Sequence, residues 1–188
     1  AMGHSTKHAS QIIAISEFTK NDIIKFFAID PAKITVIYEG YDQTTFRPPK
    51  EKKSLPRPYI LFIGRLEEKK NIVGMIRAYA ILRKEKSIKH QFILAGKPGW
   101  GWEKIQAELE KIPKNIREDI IFPGYISQEK YVELLKNADI LFFCTFFEGF
   151  GLPPLEAMAS GVPVVASNRT SIPEVCGKAA LLVDPTKP

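Results

Sequence analysis

Apolar residues in this chain follow two rhythms. From Tyr59 onward, short unbroken apolar runs alternate with longer stretches in which apolar side chains return every three or four positions. The runs Tyr59 to Ile63, Gln91 to Ala95, Ile120 to Phe122, Ile140 to Phe143, Val162 to Ala166 and Ala180 to Val183 have the length and character of strands buried on both faces. Between them, Ile72, Met75, Ile76, Tyr79 and Leu82 mark the inward face of one helix. Ile105, Leu109 and Ile112 mark a second, and Tyr131, Leu134 and Leu135 a third. Ser127 is placed to cap the third helix, and Pro113 to end the second. Strands alternating with helices predict an α/β domain, a parallel sheet with helices on both faces.

The chain before Tyr59 predicts a separate strand, helix and strand. Ile12 to Ile15 and Ile34 to Tyr38 are the strands; between them Ser16 caps a helix carrying Phe18, Ile23, Phe26 and Phe27. Residues 46–58, from Phe46 through a polar, proline-punctuated stretch, read as a linker. Residues 1–4, Ala-Met-Gly-His, have neither the basic nor the apolar segment of a signal peptide and read as a cloning scar. On that reading the sequence is a piece of a longer protein.

Composition narrows the functional classes. With 188 residues, 45% of them hydrophobic, the chain can bury a substantial core, which excludes a disordered segment or a disulfide scaffold. A net charge of +6 favours an anionic ligand without naming it. The basic residues are interspersed with acidic ones and no aromatic-basic RNA motif is present, so no nucleic-acid partner is expected. Only Cys144 and Cys176 occur, which fits a reducing, cytoplasmic setting. No apolar stretch approaches the roughly 20 residues of a membrane helix. Three histidines without metal-ligand spacing, no D-x-D and no G-x-S-x-G leave zinc chemistry and a Ser-His-Asp hydrolase unsupported.

Ligands of open parallel sheets sit beyond the carboxyl ends of the strands, so the residues after each strand are the candidates. After the first main strand come Gly64 and Arg65, then Lys70; glycine lets a phosphate approach the backbone and the two cations could neutralise a diphosphate, although a solvated charged loop reads the same way. Gly96 to Trp102 is glycine-rich without dinucleotide spacing, and its two tryptophans read as cover for the core edge. Gly124 and Tyr125 could border a flat base or form an ordinary turn. The fourth place, Glu148-Gly149-Phe150-Gly151-Leu152-Pro153-Pro154-Leu155-Glu156, pairs a tight glycine loop with a helix start, an anion cradle on paper. Glu148 would stand at its mouth, and Glu156, read as lying in the first helical turn, could bind a ribose diol or simply face the helix dipole. Two carboxylates beside an anion site make sense for a ligand with hydroxyls as well as phosphates.

Glu148 to Glu156 resembles the E-x7-E motif of retaining glycosyltransferases of the GT-B fold, family GT4 (group 1). Ile15 to Phe18, Ile37 to Gly40, Gly64 to Leu66, Lys70-Asn71, Phe122 to Tyr125, Gly161 to Val165 and Ile172 to Val175 resemble further landmarks of that family. The resemblance implies that residues 59–188 are the C-terminal, Rossmann-like domain that binds a nucleotide-sugar donor, truncated at its end, and that residues 5–45 correspond to the end of the N-terminal domain and the interdomain strand. It implies Arg65 and Lys70 on the diphosphate, amides of Gly149, Phe150, Gly151 and Leu152 on phosphate and sugar, Glu148 on the donor sugar as the catalytic carboxylate, Glu156 on the ribose, and Gly64, Gly124 and Tyr125 bordering the donor. No metal or other cofactor is implied. Glu39-Gly40 stands where the family often has Asn-Gly, so no role is carried onto Glu39. The look is closest to mannosyltransferases of polysaccharide assembly, with GDP-mannose as first donor and a UDP-sugar as second. The acceptor, a glycan or lipid-linked sugar, would be held by the missing N-terminal domain, through which the parent could also touch the cytoplasmic membrane face. The isolated segment would then bind donor weakly or not at all and not turn over. A non-catalytic nucleotide-sugar binding module is the alternative.

Overall fold

The structure, a computed structural model, describes residues 2–51, 56–86 and 88–187. Part of the expected linker, residues 52–55, lies outside the described residues. The main body holds six strands: β3 (Tyr59–Ile63), β4 (Gln91–Ala95), β5 (Ile120–Gly124), β6 (Ile140–Phe143), β7 (Val164–Ser167) and β8 (Leu181–Val183). All pair in parallel, in the order β5-β4-β3-β6-β7-β8, the nucleotide-binding order of a doubly wound sheet. The chain steps one way across the sheet from β3 to β5 and the other way from β6 to β8. Right-handed crossovers therefore put α3 (Ile72–Lys86) and α4 (Trp102–Leu109) on one face and α7 (Leu152–Ala159) and α8 (Ile172–Cys176) on the other. Two short helices, α5 (Lys114–Arg117) and α6 (Gln128–Asn137), complete the cover.

Before it come α1 (Met2–His8), β1 (Ile12–Ala14), α2 (Glu17–Phe27) and β2 (Ile34–Val36), with β1 and β2 paired in parallel. This unit has its own small core of Ala14, Ile23, Ile29 and Ile34. Ser16 caps α2 by accepting from the Thr19 amide, as its position predicts.

The main core contains Leu61, Phe62, Ile72, Met75, Ile76, Tyr79, Phe92, Leu94, Ile105, Leu135 and Leu141, largely the residues the two rhythms select. Differences have local causes. Leu82 is 37% exposed, near the end of α3. The second helix stops at Leu109, short of Pro113, which instead stands at the start of α5. Strand β5 runs through Pro123 because it is an edge strand and its register on β4 slips between Ile93 and Ala95, a place where a missing N–H leaves no ladder bond unmade. Strand β7 starts at Val164 because the Val162 amide bonds back to Ala157 in the turn after α7. Phe46 is no linker residue in the physical sense: it is 4% exposed and packs on the Tyr131 ring at 5.8 Å, so the chain leaves the first unit already anchored to the second.

Of the two tryptophans, Trp102 covers the core edge, its ring edge-on to Phe122 at 5.6 Å, whereas Trp100 is 76% exposed. Both cysteines are buried, and burial pushes the Cys144 thiol up to about 12 and Cys176 to about 11, so they behave as packing groups. Among the described residues no helix is long and apolar enough to cross a membrane.

Candidate functional site

The order of the sheet reverses between β3 and β6, and there the carboxyl ends of two neighbouring strands open a crevice. One bank is the segment after β3. Gly64 leads to Arg65, an exposed cation with no ion-pair partner among the described residues, and then through a single helical turn at Glu68–Lys70 to Asn71. Asn71 is buried in the left-handed conformation with φ 56° and donates its amide to the Cys144 carbonyl at 2.9 Å and the Pro185 carbonyl at 2.8 Å. It therefore fastens the β3 bank to the end of β6, and the preceding residue, Lys70, is delivered into the crevice.

The other bank is the loop of residues 146–151 after β6. The Lys70 ammonium donates to both oxygens of Glu148, at 2.7 and 2.8 Å, with the two side chains only 16% and 12% exposed. This charge-assisted fork joins the two residues to which the resemblance gives separate roles, at the diphosphate and at the sugar. The carbonyls of Glu148, Gly149 and Phe150 are all engaged. Ser171, fully buried, reaches the carbonyls of Glu148 at 3.0 Å and Phe150 at 2.7 Å. Ser16 and Thr19, from the first unit, donate to the Gly149 carbonyl at 2.7 and 3.0 Å. The Glu148 amide meets the Thr170 hydroxyl at 3.2 Å. The amides of Gly149, Phe150 and Gly151 have no partner among the described residues. Gly151 must be glycine: its φ is 123° and a Cβ there would lie 2.7 Å from Ile172 Cδ1.

Beside the crevice, beyond β3, β4 and β5, lies a cleft of about 460 Å³ lined by Gly64, Arg65, Gly96, Lys97, Tyr125, Ile126 and Tyr131. Gly96 brings two strand ends together, since a Cβ on it would sit 1.9 Å from the Gly64 carbonyl oxygen. The Lys97 ammonium lies 4.7 Å from the centre of the Tyr125 ring, which is 73% exposed. Gly124, with φ 75°, makes the turn that presents Tyr125.

Helix α7 starts at Leu152, because two prolines fit its first turn where amides have no helical acceptor; Glu156 is consequently in the second turn and not the first. It is half-buried, and burial pushes its carboxyl up to about 7. The Tyr131 hydroxyl hydrogen-bonds to Glu156 Oε2, and Tyr131 in turn forms part of the cleft wall.

Thus the structure brings Lys70 and Glu148 together beside the glycine loop, while Gly64, Arg65 and Tyr125 line the adjoining cleft and Gly124 makes the turn before Tyr125. Glu156 stands behind Tyr131. Sequence reasoning missed Lys97, Tyr131, Ser171 and Thr19 as site residues, since their neighbours are far away in the chain, and gave Ser16 as a helix cap within a family landmark without a role at the loop. A larger cavity, about 530 Å³, lies between α3 and α4, but its charges are paired with one another: Arg77 with Glu108 at 2.7 Å and Lys104 with Glu68 at 2.7 Å. Among the described residues no cluster of His, Cys, Asp and Glu could hold a metal ion.

Comparison with known proteins identifies the family and the fold. The sequence profile of "Glycosyl transferases group 1" matches residues 43–188. The O-antigen chain mannosyltransferase B of Escherichia coli is 35% identical over 98% of this chain, which spans 50% of that protein's length. Sucrose-phosphate synthase from Thermosynechococcus elongatus superposes with a TM-score of 0.82 at 21% identity, over 99% of this chain and 48% of its own. Anabaena HepE, solved in complex with UDP and glucose, superposes with a TM-score of 0.80 at 20% identity, over 96% of this chain and 51% of its own. The chain belongs to the group 1 glycosyl transferases.

Proposed function

We propose that this chain is the donor-binding part of a retaining glycosyltransferase that moves a sugar, mannose in the first instance, from a nucleotide diphosphate sugar to a glycan or lipid-linked acceptor. The observation that carries the reading is the meeting of Lys70 and Glu148 at the crevice between β3 and β6, beside three loop amides without a partner among the described residues and next to the cleft that Arg65 lines. A diphosphate needs cations and N–H donors; a sugar needs a carboxylate for its hydroxyls. Few other ligands ask for both.

Arg65 and Lys70 would take the diphosphate and stabilise the charge that grows on it as the sugar–oxygen bond breaks. The reading needs no metal, since side chains supply that charge. Lys70 is held by Glu148 at 2.7 Å, so an incoming diphosphate competes for the ammonium and frees Glu148 for the sugar near its reacting carbon. The amides of Gly149 to Leu152 would receive phosphate and sugar oxygens. Glu156, with Tyr131 between it and the cleft, would meet the ribose, and the base would lie along Gly124 and Tyr125. GDP-mannose is the first donor, on the strength of the mannosyltransferase relative; a UDP-sugar is second, since HepE binds UDP. The acceptor and any contact with a membrane face would belong to the rest of a longer protein.

The test is titration of GDP, UDP and GDP-mannose by ligand-observed NMR, with Arg65→Ala as control. Saturable binding of one nucleotide, weakened in the variant, is the expected result. A folded chain that binds none of them overturns the reading that this chain by itself forms the donor site.

A further inference from the structure

We infer that Ser16 and Thr19, with Glu174 behind them, are positioning residues for the glycine loop, holding its peptide planes so that the amides stay available to a phosphate. The inference rests on the donor-site reading above. Its starting point is the geometry of the peptide unit: the bond is planar and trans, so the carbonyl of one residue and the amide of the next point in opposite directions. Whatever fixes a carbonyl therefore aims the following N–H.

Three consecutive carbonyls are fixed here. Ser171 shares its one hydroxyl hydrogen between those of Phe150 at 2.7 Å and Glu148 at 3.0 Å, aiming the amides of Gly149 and Gly151 away from α8. The middle one, Gly149, is held only from the first unit. Ser16 donates to it at 2.7 Å and Thr19 at 3.0 Å, one hydroxyl for each lone pair of the oxygen. The Phe150 amide is thereby turned away from α2. Glycines at 149 and 151 impose little backbone preference, so without the hydroxyls these planes could rotate at small cost.

The donors are themselves held. Ser16 is fully buried and accepts from the Thr19 amide at 3.0 Å, which fixes the rotamer that faces Gly149. Glu174, on α8, accepts from the amides of Glu17 at 2.7 Å and Phe18 at 3.3 Å. One carboxylate thus satisfies the free amides that open α2 and ties that helix to the element carrying Ser171. Phe18 adds an edge-on contact to the Phe147 ring at 5.6 Å. The first unit accordingly has a task besides its own fold: it completes the loop on which donor phosphates would rest.

The test compares the chain with Thr19→Val, Ser16→Ala/Thr19→Val and Thr19→Ser. Residual dipolar couplings of the amides of residues 149–151 report the peptide planes, and ligand-observed titration reports affinity for GDP or UDP against the matching nucleoside. Thr19→Val leaves the Ser16 cap in place, so it remains informative if the double variant does not fold. We expect the Phe150 coupling to change and diphosphate affinity to fall about tenfold or more in the double variant and less in Thr19→Val, equivalent to about 1.4 kcal/mol per factor of ten, with nucleoside affinity and Thr19→Ser unchanged. Wild-type diphosphate affinity in Thr19→Val and in the double variant, with Arg65→Ala still weakened, overturns the clamp and leaves the donor site standing. Equal losses for nucleotide and nucleoside also overturn it, by showing general damage. If the wild-type chain binds neither GDP nor UDP, donor site and clamp fall together.

Discussion

Replacing Glu156 by glutamine should stabilise the protein relative to the wild type by an amount that grows as pH rises from 4.5 to about 7 and stays constant beyond about 8. Burial holds this carboxyl at about 7 against 4.5 in the unfolded chain. The folded state therefore keeps a proton that the unfolded state has already released, and the associated stability is fully present below pH 4.5 and lost as pH rises through about 7. At about 1.36 kcal/mol per tenfold change in proton affinity, the full difference is about 3 kcal/mol. Glu156 is only half-buried, and solvent screening reduces this to about 1–2 kcal/mol. Urea unfolding of the wild type and Glu156→Gln at intervals from pH 4.5 to 8.5 would show it, because subtracting one profile from the other removes every other titrating group. The difference should be flat below pH 4.5, rise through neutrality in favour of the variant, and level off above about pH 8. Parallel profiles across the range would refute the argument that burial raises this carboxyl. Under the role proposed for Glu156 the same ionisation would bear on ligand binding: a carboxylate accepts from ribose hydroxyls better than the acid does, so nucleotide affinity should improve as pH rises through about 7.

A double-mutant cycle on Lys70→Met and Glu148→Gln should give a coupling of about 1–3 kcal/mol in unfolding free energy, as befits a fork of two side chains under one-fifth exposed; a coupling under about 0.5 kcal/mol would place the pair among ordinary surface bridges. Asn71→Ala leaves the carbonyls of Cys144 and Pro185 without their donor and should cost about 2–3 kcal/mol in the same assay, with loss of nucleotide binding as the Lys70 segment loosens. Gly96→Ala places a Cβ 1.9 Å from the Gly64 oxygen, so a large fall in melting temperature is expected and an unchanged one would contradict the packing of the two strand ends. Arg77 and Lys111 hold the Glu108 carboxyl down at about 2, so its contribution is present above pH 4.5 and lost as pH falls toward 2; in Glu108→Gln that part of the acid-denaturation profile should flatten.

Most of the sheet was legible because parallel strands buried on both faces leave unbroken apolar runs, and Tyr59 to Ile63 and Gln91 to Ala95 match their strands residue for residue. Boundaries slipped where a tertiary fact decided them, as with Pro123, tolerated because β5 is an edge strand, and Phe46, whose burial depends on Tyr131 far along the chain. Glycines and charges after the strands pointed to the crevice, since local sequence carries the loop's backbone requirements. Nothing local showed that Lys70 and Glu148 would meet, or that Ser171 and Thr19 would converge on the loop's carbonyls. Those contacts span up to 130 residues, and hydroxyl side chains announce no such partnership.

A nucleoside diphosphate is proposed to bind across the crevice between β3 and β6. Backbone amide shifts of the ¹⁵N-labelled chain during titration with GDP and UDP would locate it. Saturable shifts concentrated at residues 64–65, 124–126 and 149–152, absent in Arg65→Ala, are the expected result. Shifts gathered instead on the cavity between α3 and α4, or none at all from a folded chain, would contradict it.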